Sequence, residues 1–419
     1  MRERTGFGKY LLAATALAAL AVTPAVGSAA SLASSPFGIR ATQVDDPKIT
    51  ALKGLPKVQK SAIPEPTATP ATGDTKTTLV INTGLSGCTA SSFSLKIPTS
   101  SSLTPSVNLP LSASVNWGDG ASIDKLQTGT NAHSYEPSRI YNLEIDGKLG
   151  GLTNPDSNAN NCIQSISHFG QDSGIVTLEG LFQNARNVQS VAAPPTTLQN
   201  ASSMFSGASN FNGDISGWKT PNLLSMANMF SSASKFNSSL AGWDVSKVQS
   251  FSNTFGGASV FNQDLSSWNT GSATDMNFMF YFTPNFNGNI STWNTSKVKD
   301  MGSMFLFSSK FKGDLSKWDV SQVTNFSGMF NSVSGFNSNI SNWNVGSAVR
   351  MGSMFAGASA FNQDLSSWKT PNAKEMNSMF YGASSFSSDL SAWTVANVTD
   401  RTNFETNSKL TAAQLPKWS

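Results

Sequence analysis

Nine tryptophans recur every 25 residues across the second half of this 419-residue chain, and no insertion breaks the interval. A fixed period in the twenties is typical of a solenoid, in which each repeat is one structural unit stacked on its neighbours. Because a single repeat cannot bury its apolar residues alone, the periodic tryptophans are assigned to a core shared between repeats. The assigned set is Trp218, Trp243, Trp268, Trp293, Trp318, Trp343, Trp368 and Trp393, and Trp418 is the ninth member of the series.

A Met-Phe pair follows the same period and adds predicted core residues, among them Met304, Phe305, Met354 and Phe355. The apolar residues between positions 298 and 308 are three and four apart, as on one face of a short helix or 3₁₀ turn. Residues 287–295 predict a short extended segment that pairs with neighbouring repeats about 4.8 Å away. The sequence therefore predicts a β-rich, leucine-rich-repeat-like solenoid of about nine repeats, each a short strand plus a short helix or 3₁₀ turn.

An exposed stripe of tryptophans that stacks on sugar rings is the alternative to the core assignment. Leu265 and Trp268 are three residues apart, so they would face opposite ways in a straight strand. A bend between them would turn both side chains inward. Trp together with Leu, Phe and Met in every repeat is what a core requires, so the core is favoured.

Polar residues at equivalent positions of successive repeats form columns of their own. Stacked Asn side chains can hydrogen-bond the next repeat, so the Asn column is interpreted as a ladder first and a ligand surface second. An acidic column could hold calcium or a basic partner, although its alternation with Asn and Ser favours turn capping. The Asn column is Asn212, Asn237, Asn262, Asn287, Asn337 and Asn362, interrupted by Lys312 and Ser387. The possible ligand face is Asp214, Asp264, Asp314 and Asp364.

The first 30 residues have the pattern of a signal peptide. Arg2, Arg4 and Lys9 precede an apolar run over residues 10–22, and small residues follow at 25–30. The run is too short to span a bilayer comfortably, so cleavage is predicted and no membrane span is expected in the mature chain. Because of this pattern we expect an extracellular protein. It is expected to be secreted or held non-covalently at the cell surface, because the chain shows neither a cysteine at the cleavage site for a lipid anchor nor a sorting motif.

The remaining composition limits the chemistry. Residues 31–76, rich in Pro, Thr and Ala, predict a linker. The two cysteines, Cys88 and Cys162, predict a disulfide, because an exported chain with an even count normally pairs them. A net charge of +3 without a basic cluster gives no indication of nucleic-acid binding. His133 and His168 are the only histidines, and no zinc spacing or catalytic order surrounds them, so neither an enzyme nor a cofactor is expected.

Residues 77–150 predict β structure, with strands at 79–81, 93–97 and 141–145. Between them, VNWGDG at 115–120 runs into an Asp-Gly turn, and HSY follows at 133–135. This arrangement resembles the polycystic-kidney-disease-type (PKD-like) domain, a small immunoglobulin-like sandwich, which implies a spacer or low-affinity binder. Residues 151–200 are predicted to form a junction and N-terminal cap, and residues 201–419 the repeats.

The segments FNQDLSSW at 361–368 and MGSMFAGAS at 351–359 closely resemble the BspA-like surface proteins of bacteria, the mycoplasma-lipoprotein-associated repeat family. The resemblance recurs in every repeat and implies a leucine-rich-repeat-like solenoid, a surface or secreted location and a role in adhesion. The hypothesis is a non-enzymatic adhesion or recognition scaffold for a host or cell-surface protein or glycan. A carbohydrate-active or carbohydrate-binding protein and a purely structural spacer remain the alternatives.

Overall fold

The computed structural model describes residues 73–418, apart from residue 101 and residues 103–108 and 154–159. The predicted signal peptide and almost all of the predicted linker lie outside the described residues. The described part is rich in β structure and turns, and its two 3₁₀ helices, Ala90–Ser92 and Ala412–Gln414, are three residues long. Within these residues no helix is long and apolar enough to cross a membrane.

Eight strands form two sheets at the N-terminal end of the described chain. A six-stranded sheet has the order β4-β3-β6-β1-β7-β8, and β2 pairs with β5 in a second sheet. The strands are β1 Thr77–Asn82, β2 Phe93–Ile97, β3 Ser112–Asn116, β4 Asp124–Lys125, β5 Gly129–His133, β6 Ile140–Lys148, β7 Ile163–His168 and β8 Ser190–Val191. Strands β1, β2 and β6 lie where alternating apolar residues predicted them, and these apolar side chains are buried, as at Leu79 and Ile81 of β1 and at Leu143 and Ile145 of β6.

Aromatic side chains join the two sheets. Phe93 of β2 lies edge-on to Trp117 with ring centroids 6.5 Å apart, and the Tyr135 hydroxyl donates a 2.9 Å hydrogen bond to the Trp117 carbonyl. His133 stacks on Trp117 with ring centroids 4.5 Å apart and the two rings almost parallel. The WGDG and HSY motifs therefore meet in one aromatic cluster between the sheets.

The predicted disulfide between Cys88 and Cys162 is confirmed, with the two Cα atoms 4.7 Å apart. Cys88 follows β1, and Cys162 immediately precedes β7. The bond therefore closes a segment of 74 residues that contains five of the eight strands.

The repeats continue directly from the six-stranded sheet. Strand β7 pairs antiparallel with β1 on one side and parallel with β8 on the other. A second series of parallel bridges starts at Gly151↔Thr177 and passes through Asn200 and Ser225 to Asp400, in steps of 25 residues after Asn200. One continuous cluster of buried apolar residues extends from Leu79 to Phe404, so strands and repeats share a core.

Each repeat contains a run of consecutive hydrogen-bonded turns, and this corrects the prediction of a short helix or 3₁₀ turn. Within the run, alternate backbone N–H groups donate to the next repeat, as from Met226 to Ser250 and from Phe230 to Thr254, at 3.1 and 2.8 Å. Two residues per run, four apart, have positive φ, for example Ser203 and Gly207. Left-handed residues at this spacing are incompatible with a helix.

The extended segment predicted for residues 287–295 is also wrong, because the chain turns at 291–292 and forms no strand there. Pairing between repeats is instead by single bridges at the position of Asp275 and Asp300. The bend postulated between Leu265 and Trp268 is present as a turn, in which the Trp268 N–H donates to the Leu265 carbonyl at 3.1 Å.

Two columns of phenylalanine fill the interior of the repeats. Phe230 and Phe255 represent the first column, with ring centroids 5.8 Å apart and nearly parallel rings. Phe236 and Phe261 represent the second, with ring centroids 5.9 Å apart. Within one repeat the two columns also stack, as Phe230 does on Phe236 at 3.9 Å. Each ring therefore contacts others within and between repeats, which explains why phenylalanine recurs every 25 residues from Phe205 to Phe380.

Candidate functional site

The periodic tryptophans lie in the interior. The eight assigned to the core are 1–4% exposed, and from Trp243 to Trp393 each indole N–H donates to a carbonyl 28 residues earlier. Trp293, for example, donates to the Leu265 carbonyl at 3.0 Å and stacks between Trp268 and Trp318. Trp418 departs from the series: it is half-buried and packs edge-on to Phe404. The eight buried side chains are not available to a ligand.

The Asn column forms a ladder along the surface. The side-chain Oδ1 of Asn212 accepts the backbone N–H of Asn237 at 2.8 Å, and Asn237 does the same for Asn262 at 2.9 Å. The bonds continue from Asn262 to Asn287 and from Asn287 to the backbone of Lys312. These side chains hold one repeat to the next.

The four aspartates of the possible ligand face each cap a turn. Each Oδ1 accepts the backbone N–H of the serine two residues later at 2.8–2.9 Å, for Asp214, Asp264, Asp314 and Asp364. These hydrogen bonds lower the pKa of all four carboxyls. The carboxylates are occupied locally, and no group of three or more possible metal ligands occurs within the described ranges.

Both histidines of the chain are paired with a carboxylate near the strands. His133 Nε2 lies 2.7 Å from Asp119 Oδ2, and His168 Nε2 lies 2.8 Å from Asp74 Oδ2. Burial opposes ionisation of Asp119, but hydrogen bonds from Ala121 and His133 outweigh it and lower the pKa of the carboxyl. Because His133 also stacks on buried Trp117, it holds the β5 end of the aromatic cluster in place.

A surface cluster of four aromatic residues is the most unusual feature of the repeats. We call Phe278, Tyr281, Phe282 and Phe307 the aromatic patch. Phe282 is 52% exposed, and the other three are partly exposed. Every other phenylalanine in the described part of the chain is buried. The three phenylalanines of the patch therefore place apolar rings where the remaining repeats have Gly, Ser or Asn.

The three phenylalanines of the patch have left-handed backbone conformations. Their φ angles are +55° for Phe278, +51° for Phe282 and +63° for Phe307. A bulky residue with positive φ is rare, because its Cβ approaches the neighbouring carbonyl. At the same positions of the other repeats the chain has Gly, Ser or Asn, as at Gly257 and Ser332.

Hydrogen bonds to the next repeat hold these backbones in place. The N–H of Phe278 donates to the Gly302 carbonyl at 2.9 Å, and that of Phe282 donates to the Leu306 carbonyl at 2.8 Å. The repeat framework thus maintains a conformation that the phenylalanine side chain disfavours. Strain of this kind is typical of functional sites.

The rings of the patch meet at steep angles. Phe278 and Tyr281 lie 5.7 Å apart at 87°, Tyr281 and Phe282 6.2 Å apart at 47°, and Phe282 and Phe307 5.9 Å apart at 77°. The rings of the patch therefore face in different directions, whereas the phenylalanine rings of the interior columns are parallel.

Two carboxyl groups, those of Asp275 and Asp300, lie at the same position of adjacent repeats, where the two residues form a parallel bridge. Burial raises the pKa of Asp275, a hydrogen bond from the Asn277 N–H opposes this, and the adjacent carboxylate of Asp300 raises it further. Asp275 is three residues before Phe278, so the acidic pair borders the patch in sequence.

The sequence prediction missed the aromatic patch, although a signal was present. Phe282-Thr283-Pro284 was recognisable as a local departure from the period, but only as an isolated one. Phe282 and Phe307 are 25 residues apart, so the period places them side by side on adjacent repeats. Two neighbouring departures at the same position are the signal that identifies the site.

A family model described as "Mycoplasma protein of unknown function, DUF285" matches the chain at residues 176–284, 265–345 and 306–418. These overlapping matches together span residues 176–418, which is more than half of the chain. They include all of the repeats that carry the aromatic patch. No curated protein and no solved structure matches the chain.

Proposed function

The chain belongs to the DUF285 family of Mycoplasma proteins, and on that premise we propose that it is an exported, non-enzymatic recognition scaffold that binds a protein partner through its aromatic patch. In this proposal the repeats form a leucine-rich-repeat-like solenoid of the BspA-like kind, and residues 77–150 form a PKD-like sandwich that holds it away from its attachment. The cell surface or the extracellular medium is the proposed location.

The observation that carries the proposal is the conformational cost of the patch. Phe278, Phe282 and Phe307 each hold a left-handed backbone that Gly, Ser or Asn would adopt at lower free energy. A substitution that lowers stability and exposes apolar surface persists where binding compensates for it.

The ring geometry favours a protein partner over a flat sugar chain. Successive rings of the patch are inclined by 47–87°, so they present notches and edges to solvent. Aromatic clusters of this type are frequent at the centre of protein interfaces, where they accept an apolar side chain. An extended polysaccharide would stack better on a row of aromatic rings that share one plane along the repeats.

Export is supported by the N-terminal pattern and by the disulfide. Disulfides persist in oxidising compartments, and Cys88–Cys162 joins two segments of the strand region. The test is to express the chain with its N-terminal segment and to measure the mass of the protein recovered from the medium. Recovery only inside the cell, with residues 1–30 uncleaved, would contradict export.

The binding test uses two variants of the purified protein on an array of extracellular-matrix and cell-surface proteins. Phe282→Ser with Phe307→Ser installs the residue found at Ser232 and Ser332 and removes the two rings of the patch that lie side by side on adjacent repeats. Ile123→Ser is the matched control, because Ile123 is an apolar residue of the strand region that is 67% exposed.

We expect at least one arrayed protein to bind the wild type and the Ile123→Ser variant and to lose at least tenfold in affinity for the double variant. Equal binding by all three proteins would place the interface elsewhere. If no arrayed protein binds but a glycan on a parallel array does, the carbohydrate-binding alternative would be favoured. If nothing binds on either array, a structural spacer would be favoured.

A further inference from the structure

The Asn ladder has one gap. From Asn237 to Ser387, each member of the column donates its backbone N–H to the Asn side chain of the preceding repeat, except Asn337. The preceding residue in the column is Lys312, whose ammonium group offers no acceptor. Among the described residues, no protein acceptor receives the Asn337 N–H.

The structure accommodates the lysine side chain at the gap. A Cβ at position 335 would lie only 2.8 Å from Lys312 Cε. Because Gly335 has no side chain, the end of the Lys312 side chain can occupy that space. The column that contains Gly335 carries Lys235, Val260, Asn285 and Lys310 in the preceding repeats, so glycine appears directly beside Lys312. Lys312 therefore lies over a position that has no side chain.

An open groove of about 750 Å³ lies beside the gap: Lys312 and Gly335 line it, and Asn337 follows Gly335 by two residues at its edge. It is lined by Asn and Ser side chains, by Lys310 and Lys312, and by a single large apolar side chain, Val260. Lys310 donates to the Asn285 side chain at 2.7 Å, and neither lysine forms an ion pair with any described residue. The nearest acidic residue in sequence, Asp314, is occupied by the N–H of Ser316.

We propose that this groove binds an acidic polysaccharide and that its sulfate or carboxylate oxygens take the place of the missing Asn side chain. The anion accepts hydrogen bonds from the Asn337 N–H and from the ammonium group of Lys312, with Lys310 beside it. The amide and hydroxyl groups of the lining are donors and acceptors for sugar hydroxyls. This site is separate from the aromatic patch and goes beyond the function proposed above.

The lining distinguishes a polysaccharide from a peptide. A peptide site needs apolar pockets for side-chain anchors, whereas this groove has one exposed valine among hydrogen-bonding groups. Two positive charges without acidic partners favour an anionic ligand over a neutral one.

The test measures binding of purified protein to a heparin oligosaccharide, to polygalacturonate and to neutral dextran by calorimetry at low and physiological salt. The variant is Lys312→Asn, which restores the residue found in most repeats. The matched control is Lys297→Asn, another exposed lysine whose column contains Asn222, Asn372 and Asn397. Gly335→Ala retains both charges and displaces the Lys312 side chain.

We expect at least one acidic polymer to bind more tightly than dextran, and Lys312→Asn and Gly335→Ala to weaken that binding about tenfold while Lys297→Asn leaves it within twofold. Preference for heparin or polygalacturonate identifies sulfate or carboxylate as the anion. Lys312→Asn should also raise Tm, because an Asn at 312 can accept the Asn337 N–H.

Three results would overturn the proposal. The first is that neither acidic polymer binds better than dextran. The second is that Lys297→Asn weakens binding as much as Lys312→Asn, which would indicate general charge attraction. The third is that Lys312→Asn binds normally although its Tm has risen, since the ladder would then be repaired without consequence for the ligand. Loss of the protein array signal by the aromatic-patch variant is independent of all three.

Discussion

Replacing one interior tryptophan by phenylalanine tests whether the 25-residue period encodes a core or a binding stripe. Trp293 is 3% exposed and donates its indole N–H to the Leu265 carbonyl at 3.0 Å. That carbonyl also accepts the N–H of Trp268, so Trp293→Phe removes a bond without leaving the acceptor unpaired. The hydrogen bond is worth about 1 kcal/mol.

The lost volume adds a second contribution. Phenylalanine is smaller than tryptophan by roughly 40 Å³, and a cavity of that size between Trp268 and Trp318 costs about 1 kcal/mol. We therefore expect Trp293→Phe to lower the free energy of unfolding by about 2 kcal/mol in urea denaturation followed by circular dichroism. Its effect on ligand binding should be small.

Trp418→Phe is the matched control, since Trp418 has the same period but is half-buried and contacts Phe404 edge-on. We expect this variant to lose less than about 1 kcal/mol. If Trp293→Phe unfolds at the same urea concentration as the wild type and Trp418→Phe does not, the assignment of the Trp column to the core is refuted.

Three further outcomes follow from the disulfide and the carboxyl groups. The Cys88–Cys162 disulfide closes a segment of 74 residues and should contribute up to about 4 kcal/mol to the free energy of unfolding. A thiol reductant should therefore lower the Tm of the wild type but not that of the Cys88→Ser, Cys162→Ser double variant. Asp275 has a raised pKa, so its ionisation costs stability as pH rises above 3.8; Asp275→Asn should raise Tm more at pH 7 than at pH 4. Asp264 has a lowered pKa, so its ionised carboxyl stabilises the fold above pH 3.8 and this stabilisation is lost in acid. The free energy of unfolding of Asp264→Asn should match that of the wild type within about 0.5 kcal/mol at pH 7 and decrease less towards pH 2.5.

The period predicted which residues stack on one another, but it did not predict the local backbone. Steps of three and four residues from Val298 to Ser308 fit a helical face, and they fit consecutive turns equally well. The two backbones differ in the positive φ at Ser303 and Phe307. Other repeats have glycine at the position of Phe307, as at Gly257 and Gly357, and those glycines indicate the positive φ. Spacing of apolar residues cannot distinguish these backbones, whereas recurrent Gly, Ser and Asn four residues apart can.

The strand region was easier to predict because alternation is a direct consequence of the pleat. Strands β1, β2 and β6 were predicted within a few residues, and WGDG marked the turn after β3. The pairing of β7 with both β1 and β8 was not predicted. It depends on contacts between residues far apart in sequence, and no local pattern at 163–168 encodes them.

The backbone bonds between repeats join residues 24 to 26 positions apart, the indole bonds join residues 28 apart, and equivalent atoms are used from one repeat to the next. Deleting or duplicating one whole unit of 25 residues therefore leaves every remaining neighbour with an equivalent partner. A gene that encodes this chain can change the number of units by recombination between similar segments without redesigning the interface between them. The aromatic patch and the Lys312 groove occupy units close together, so a unit gained or lost between them and the strand region changes their distance from that region and leaves both surfaces intact.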